Sequence, residues 1–219
     1  MSARGARLLA IALAIAPAAA AVHASVEAAG FTVDALIARL ARPAPAATDF
    51  IQADFSPLLA RALIVTGRLD YLGPDHLART VRMPFQEHDD VHDDSVTVQR
   101  GGESPRQFSL QRVPQLRSLL ASFPALLSGD RAALERQFTL DLHGDARAWT
   151  LGLTPRDPQV RALVRAILVS GRGAEPRCLT TYQASDSITV MLLGSAAQQS
   201  VPANVDLAWL EAQCRAAPH

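Results

Sequence analysis

The residues best equipped for chemistry form one run, Glu87-His88-Asp89-Asp90-Val91-His92-Asp93-Asp94. On a strand, His88, Asp90 and His92 face one way; on a helix, His88 and His92 stack one turn apart. Imidazole and carboxylate both ligate divalent cations, so either arrangement could hold a metal and activate water for hydrolysis. The same run also reads as a solvated edge strand that closes in a hairpin turn at Asp93-Asp94. No G-x-S-x-G, H-E-x-x-H, C-x-x-C or glycine-rich phosphate loop occurs in the chain. Every basic residue is Arg, which excludes Schiff-base lysine chemistry and a P-loop lysine. Trp149 and Trp209 fit a core or the wall of an apolar cavity equally.

The 219 residues carry 21 basic and 21 acidic side chains, for a net charge of zero. Such a chain has no overall field to draw it to nucleic acid or to an anionic membrane. Aromatic residues are only 5%, too few for a base-stacking platform. Hydrophobic residues make up 49% and charged residues 19%, the profile of a folded chain rather than a disordered one. The length suits one domain.

Residues 1–24 have the three parts of a secretory leader. Arg4 and Arg7 give a positive start, Leu8–Ala16 an apolar run, and Ala18–Ala24 a small-residue cleavage region. The apolar run is shorter than the ~20 residues that span a bilayer. We therefore expect a signal peptide over 1–24, one domain over 25–219, a periplasmic location and a soluble mature chain. In that oxidising compartment Cys178 and Cys214 are expected to form a disulfide.

The elements that would position these residues follow from periodicity. Phe31–Leu40 has helical spacing, ended by Pro43 and Pro45. Strand patterns follow at Phe50–Phe55, Leu63–Leu72, Leu77–Met83, Ser95–Arg100 and Gln107–Arg112. Between Pro114 and Gln137 the period changes. Leu116, Leu119, Leu120, Phe123, Leu126 and Leu127 make an apolar helical stripe, and Asp130 can cap a second short helix. Strands resume at Phe138–His143 and Arg147–Leu153, then at Leu179–Tyr182 and Ser187–Leu193, before a terminal helix over Val205–Arg215. Val160–Val169 fits either a helix or a strand. Strands, a helical insert and strands again predict an α+β fold with an antiparallel sheet, one face covered by the insert.

Several short motifs, taken in order, resemble the LolA/LolB-like family of periplasmic lipoprotein and lipid carriers. They are Phe50-Ile51-Gln52 (F-x-Q), Gly67-Arg68-Leu69 with Pro74 (G-x-L then Pro), Pro84, the Asp93-Asp94 turn, and Trp149-Thr150-Leu151 with Pro155 (W-x-L then Pro). The likeness covers roughly residues 31–195. It implies an unclosed antiparallel half-barrel with a helical lid over an apolar concave face. It also implies a non-enzymatic carrier that holds a lipid or lipoprotein acyl chain and passes it towards the outer membrane. No cofactor is implied. The partners would be a lipid or acylated lipoprotein, and possibly an inner-membrane exporter and an outer-membrane acceptor; nucleic acid is not among them, and the chain would be monomeric. LolA carriers have Arg-Pro after the G-x-L strand, whereas this chain has Gly73-Pro74, and glycine cannot make the arginine's polar contacts.

On that fold, strand parity nominates Leu63, Val65, Leu69, Tyr71, Val81, Met83, Leu151, Leu153, Ile188 and Val190 as the inward lining, with Leu119, Leu120, Phe123 and Leu127 as the lid face. A one-residue slip would turn any of these strands over. A metal-dependent hydrolase using His88 and His92, and a partner-binding module with no cavity, are the competing classes.

Overall fold

The computed structural model describes residues 30–113, 120, 123–202 and 204–216. The leader expected over 1–24 lies outside them, as does Leu119. Helix α1 (Val33–Leu40) opens on Thr32, whose side chain accepts a hydrogen bond from the Ala35 N–H. Eleven strands follow: β1 (Ala46–Phe55), β2 (Leu63–Gly73), β3 (His76–Met83), β4 (Glu87–His92), β5 (Ser95–Arg100), β6 (Arg106–Ser109), β7 (Phe138–Gly144), β8 (Trp149–Pro155), β9 (Val164–Arg172), β10 (Glu175–Gln183) and β11 (Ile188–Leu193). Between β6 and β7 lie helix α2, described over 123–128, and α3 (Arg131–Gln137). Two further helices are α4 (Pro158–Arg161) and α5 (Leu207–Arg215). Among the described residues no helix is long and apolar enough to cross a membrane.

All strands join one antiparallel sheet in the order β6-β5-β4-β3-β2-β1-β11-β10-β9-β8-β7. The chain winds outward from β1 to β6, crosses through α2 and α3, and winds back from β7 to β11, which pairs with β1. The first and last strands of the path thus meet in the middle, and β6 and β7 are left as free edges. The sheet is open, as an α+β half-barrel requires. Val160–Val169, which had no single reading, divides between α4 and β9.

The two faces of the sheet carry separate cores. On one face, a row runs across the strands through Val65, Gln52, Met191, Leu179, Val169 and Leu151, each opposite the next. Helices α1, α2 and α3 cover the β7–β9 end of this face. Leu36, Ile37, Leu40, Ala125, Leu126 and Leu134 pack there on Phe138, Trp149, Leu151, Leu153 and Ile167. On the opposite face, Ile51, Ala53, Cys178, Val190 and Leu192 are closed over by Ala196 and by Leu210 of α5. A Cys178–Cys214 disulfide ties α5 to that face, with the Cα atoms 5.5 Å apart. Beside it, fully buried Arg177 donates to Ser195 Oγ at 2.7 Å and to the Gln213 carbonyl at 3.2 Å. That second bond satisfies a carbonyl in the last turn of α5, where a cation is electrostatically favoured.

Candidate functional site

The face covered by the helices divides into three regions. Over β7–β9 the apolar residues and the helices pack solidly. Val65, Val81, Leu151 and Leu153 are buried in this face, as is Tyr71, while Leu69 is partly buried. Leu63, at the start of β2, is 39% exposed.

Three of the lining expectations need correction. Ile188 and Val190 lie on the other face, beneath α5, because Val190 pairs with Ala53 and shares its side of the sheet. It is Met191, opposite Gln52, that faces the helices. Met83 is 63% exposed. The register between β2 and β3 shifts there: Gly67 faces Val81, yet Thr66 faces Met83, so the extra residue ends the alternation that parity assumed. In the lid, Phe123 and Leu127 are only partly buried, and Ala125 and Leu126 enter the core instead.

Over β1–β5 the same face carries a polar network beside the apolar Phe50, Val65 and Val81. Arg79 on β3 reaches Asp89 Oδ2 at 2.9 Å and Glu87 Oε1 at 3.3 Å on β4. Its guanidinium lies 5.3 Å from the centre of the Phe50 ring, a cation–π contact. Arg100 donates through Nε to Glu87 Oε2 at 2.7 Å. That hydrogen bond, then the carboxylate's charge, pushes the Arg100 guanidinium above its ordinary value. Gln52 donates to Asp54 Oδ2 at 2.7 Å and faces Arg79 with its carbonyl, and Thr189 donates to the other Asp54 oxygen. The glutamine of the F-x-Q motif thus links Asp54 to Arg79 and its two carboxylates.

The third region is a cavity of about 530 Å³ between the β2–β3 and β4–β5 turns and helices α2 and α3. Its volume lies within the ~300–1,000 Å³ usual for small-molecule sites. Leu77, Val91 and Leu110 form apolar walls on the sheet side, and Leu120, Pro124, Ala125 and Ala133 on the helical side. Its polar lining comprises Asp75, Asp93, Asp94, Ser128, Asp130, Arg136 and Gln137. Asp130 caps α3 by accepting from the Ala133 N–H at 2.8 Å. The Gln137 Oε1 is buried with no hydrogen-bond partner. A buried acceptor left open is uncommon and costs stability.

Among the described residues of the expected lining, Leu120 alone borders this cavity. Leu77 has the parity of Val81 and could have been reached by extending that row. Val91 was hidden inside the acidic run, and Ala133 and Pro124 carry no signal that separates cavity from core.

The acidic run is strand and turn, but not an edge: β4 pairs with β3 on one side and β5 on the other, and β6 takes the edge. His88, Asp90 and His92 share the face away from the helices. His88 Nδ1 lies 3.1 Å from Thr80 Oγ1, His76 Nε2 lies 2.9 Å from Asp90 Oδ2, and His92 stacks on His76 with ring centres 4.4 Å apart. Among the described residues no three His, Cys, Asp or Glu side chains are gathered as a metal would need.

A family model described as "Outer membrane lipoprotein carrier protein LolA-like" matches residues 20–217 of the chain. No curated protein matches it. Solved structures similar to it include the LolA superfamily protein NE2245 from Nitrosomonas europaea, at 13% identity, 78% of this chain, 95% of that one and a TM-score of 0.41. The MucA/MucB complex of Pseudomonas aeruginosa is similar at 14% identity, over 81% of this chain and 59% of that one, with a TM-score of 0.38. LprF from Mycobacterium bovis is similar at 11% identity, over 78% of this chain and 93% of that one, with a TM-score of 0.33.

Proposed function

This chain belongs to the LolA-like family of outer membrane lipoprotein carrier proteins, and on that premise we propose that it carries a lipid or lipoprotein acyl chain in the cavity beneath α2 and α3. The observation that carries the reading is that cavity of about 530 Å³, with Leu77, Val91 and Leu110 on one wall and Leu120, Pro124, Ala125 and Ala133 on the other. Each methylene moved from water to such walls gains about 0.8 kcal/mol. A hydrocarbon tail therefore needs this kind of shelter to cross an aqueous space, and the shelter needs no catalytic group. The periplasm is the compartment in which a disulfide such as Cys178–Cys214 persists, and delivery would be towards the outer membrane.

Titration with a fluorescent long-chain fatty acid tests the proposal. The chain is expected to bind it saturably. Ala133→Trp, which fills the cavity from α3, is expected to weaken binding at least tenfold. Leu163→Ser, exposed and remote from the cavity, is expected to leave binding unchanged. Equal binding by all three, or none by the wild type, would refute the cavity as the site.

A further inference from the structure

The sheet ends in two free edges, β6 and β7. β6 is four residues long, whereas β7 is seven. β7 runs against β8 from Phe138 to Gly144 without a register shift, and it carries neither proline nor lysine. It therefore lacks the bulge, the proline and the lysine that commonly blunt an exposed edge.

Which backbone groups lie open follows from the bonds at the two ends of β7. The Arg156 N–H donates to the Gln137 carbonyl at 2.8 Å, and the Asp145 N–H donates to the Ala148 carbonyl at 3.0 Å. Both pairs keep the β7–β8 register, and bonded pairs alternate along an antiparallel ladder. The odd-numbered residues of β7 thus bond to β8, while Phe138, Leu140, Leu142 and Gly144 turn their backbone groups outward. Phe138 is already closed: its N–H donates to the Leu134 carbonyl, and its own carbonyl accepts from Arg156 Nε at 3.1 Å. At Leu140 and Leu142 the outward groups meet no partner among the described residues. On the face away from the helices β7 presents Thr139, Asp141 and His143, and β8 beside it presents Thr150, Gly152 and Thr154. Asp141 and His143, with Oδ2 and Nε2 2.7 Å apart, are the only titratable groups on this face of the two strands. The turn beyond adds one charge of each sign, Asp145 and Arg147.

We infer that β7 pairs antiparallel with β7 of a second copy of the chain, about a two-fold axis at Leu142, in place of the monomer that the resemblance implies. This register sets Leu142 opposite Leu142 and Leu140 opposite Gly144, so outward groups meet outward groups. It also sets Asp141 of each copy opposite His143 of the other, at a non-bonded position where side chains stand closest. Such a pair is favourable across strands, and like charges there are not. Shifting the register one way centres it on Asp141 and opposes two carboxylates. Shifting it the other way centres it on His143 and opposes Asp141 to Asp145. On the helical side the two Leu142 side chains, each partly buried, cover one another. β6 has no such complement, since Arg106 is its only charge. A β6–β7 junction would be head-to-tail, and only the β7–β7 pairing closes at two copies. No residue from Thr139 to Asp145 lines the cavity, so the inference does not depend on the cavity's contents.

Sedimentation equilibrium of the purified chain tests it, with thiol cross-linking to read the register. The wild type is expected to show a reversible monomer–dimer equilibrium. Asp141→His, which opposes imidazole to imidazole, is expected to weaken it at least tenfold. The Asp141→His, His143→Asp double variant, which exchanges the two partners, is expected to return to within threefold of the wild type. Both native cysteines are held in their bridge, so an added thiol reports alone. Leu142→Cys, whose two copies lie about 5.5 Å apart across the axis, is expected to give a covalent dimer with a short bifunctional thiol reagent. Leu140→Cys, whose copies are staggered by about 13 Å, is expected to give almost none. Thermal melts confirm that each variant is folded. A wild type that stays monomeric at all concentrations would overturn the inference, as would a double variant no better than Asp141→His, or equal cross-linking at 140 and 142. Assemblies that grow beyond two copies would overturn it as well, by assigning the edge to β6. Fatty-acid binding is read separately: its failure would sink the carrier proposal and leave the dimer standing, and the reverse holds too.

Discussion

The ring of Phe50 lies across the backbone of Gly67. A Cβ on Gly67 would sit 2.9 Å from two carbons of that ring and 2.0 Å from the Thr80 carbonyl oxygen. The glycine of the G-x-L motif is therefore the space that the phenylalanine of the F-x-Q motif occupies. The Arg79 guanidinium lies 5.3 Å from the centre of the same ring, so one missing methyl group helps set the junction of the apolar and polar regions. Trp149 and Gly171 repeat the relationship on β8 and β9, where a Cβ would meet the indole at 2.5 Å.

Gly67→Ala is expected to lower stability by about 1–3 kcal/mol, the usual cost of overpacking a tight site. Gly73→Arg, which restores the residue of LolA carriers, is expected to be nearly neutral, because a Cβ there meets nothing within 4 Å. Thermal melts of the two variants check this; equal losses would contradict it.

Glu87 binds both Arg79 and Arg100, and its side chain is 10% exposed. Glu87→Leu leaves Arg100 without this partner and Arg79 with Asp89. Loss of a charged hydrogen bond at such a site costs about 1–3 kcal/mol. Chemical denaturation is expected to show that loss, whereas Glu103→Gln, on an exposed surface pair, is expected to show almost none.

The Cys178–Cys214 bridge closes a loop with a sequence separation of 36. On the chain-entropy estimate it stabilises by about 4 kcal/mol. Cys214→Ser is expected to lower the melting temperature and to expose the α5 amides to hydrogen exchange before those of β10 and β11. Simultaneous exchange of all three would contradict the view that the bridge chiefly anchors α5.

Asp145 accepts from the Arg147 and Ala148 N–H groups at 2.7 and 3.1 Å. These bonds favour the charged form and hold its carboxyl below the ordinary value of 3.8. A carboxyl depressed by folding adds stability above its unfolded value, and this is lost as pH falls through the folded value. The melting-temperature difference between wild type and Asp145→Ala is therefore expected to be constant near neutrality and to shrink in acid below pH 3.8. A difference that grows on acidification would contradict the assignment.

The open antiparallel sheet and its helical insert were legible because Leu63–Leu72 alternates cleanly while Leu116–Leu127 repeats at helical spacing. Faces were less legible. Val190 and Met191 are both apolar, as are Ile188 and Leu192, so β11 buries both sides and parity had nothing to choose between. At Met83 a register shift broke a rule that held at Val81. The cavity was hardest to see, because Leu77, Val91 and Ala133 look like core until the space between them is known. The Arg79–Glu87–Asp89 network was hidden differently: the acids stood out as a run, but nothing local named their cation.

Native mass spectrometry of the chain purified from an outer-membrane-containing host, before and after organic extraction, tests the central claim most directly. The account predicts an additional mass of a single acylated molecule that extraction removes, that added fatty acid or lysophospholipid restores, and that Ala133→Trp prevents. A chain that shows only its own mass throughout, with no uptake of either ligand, would contradict it.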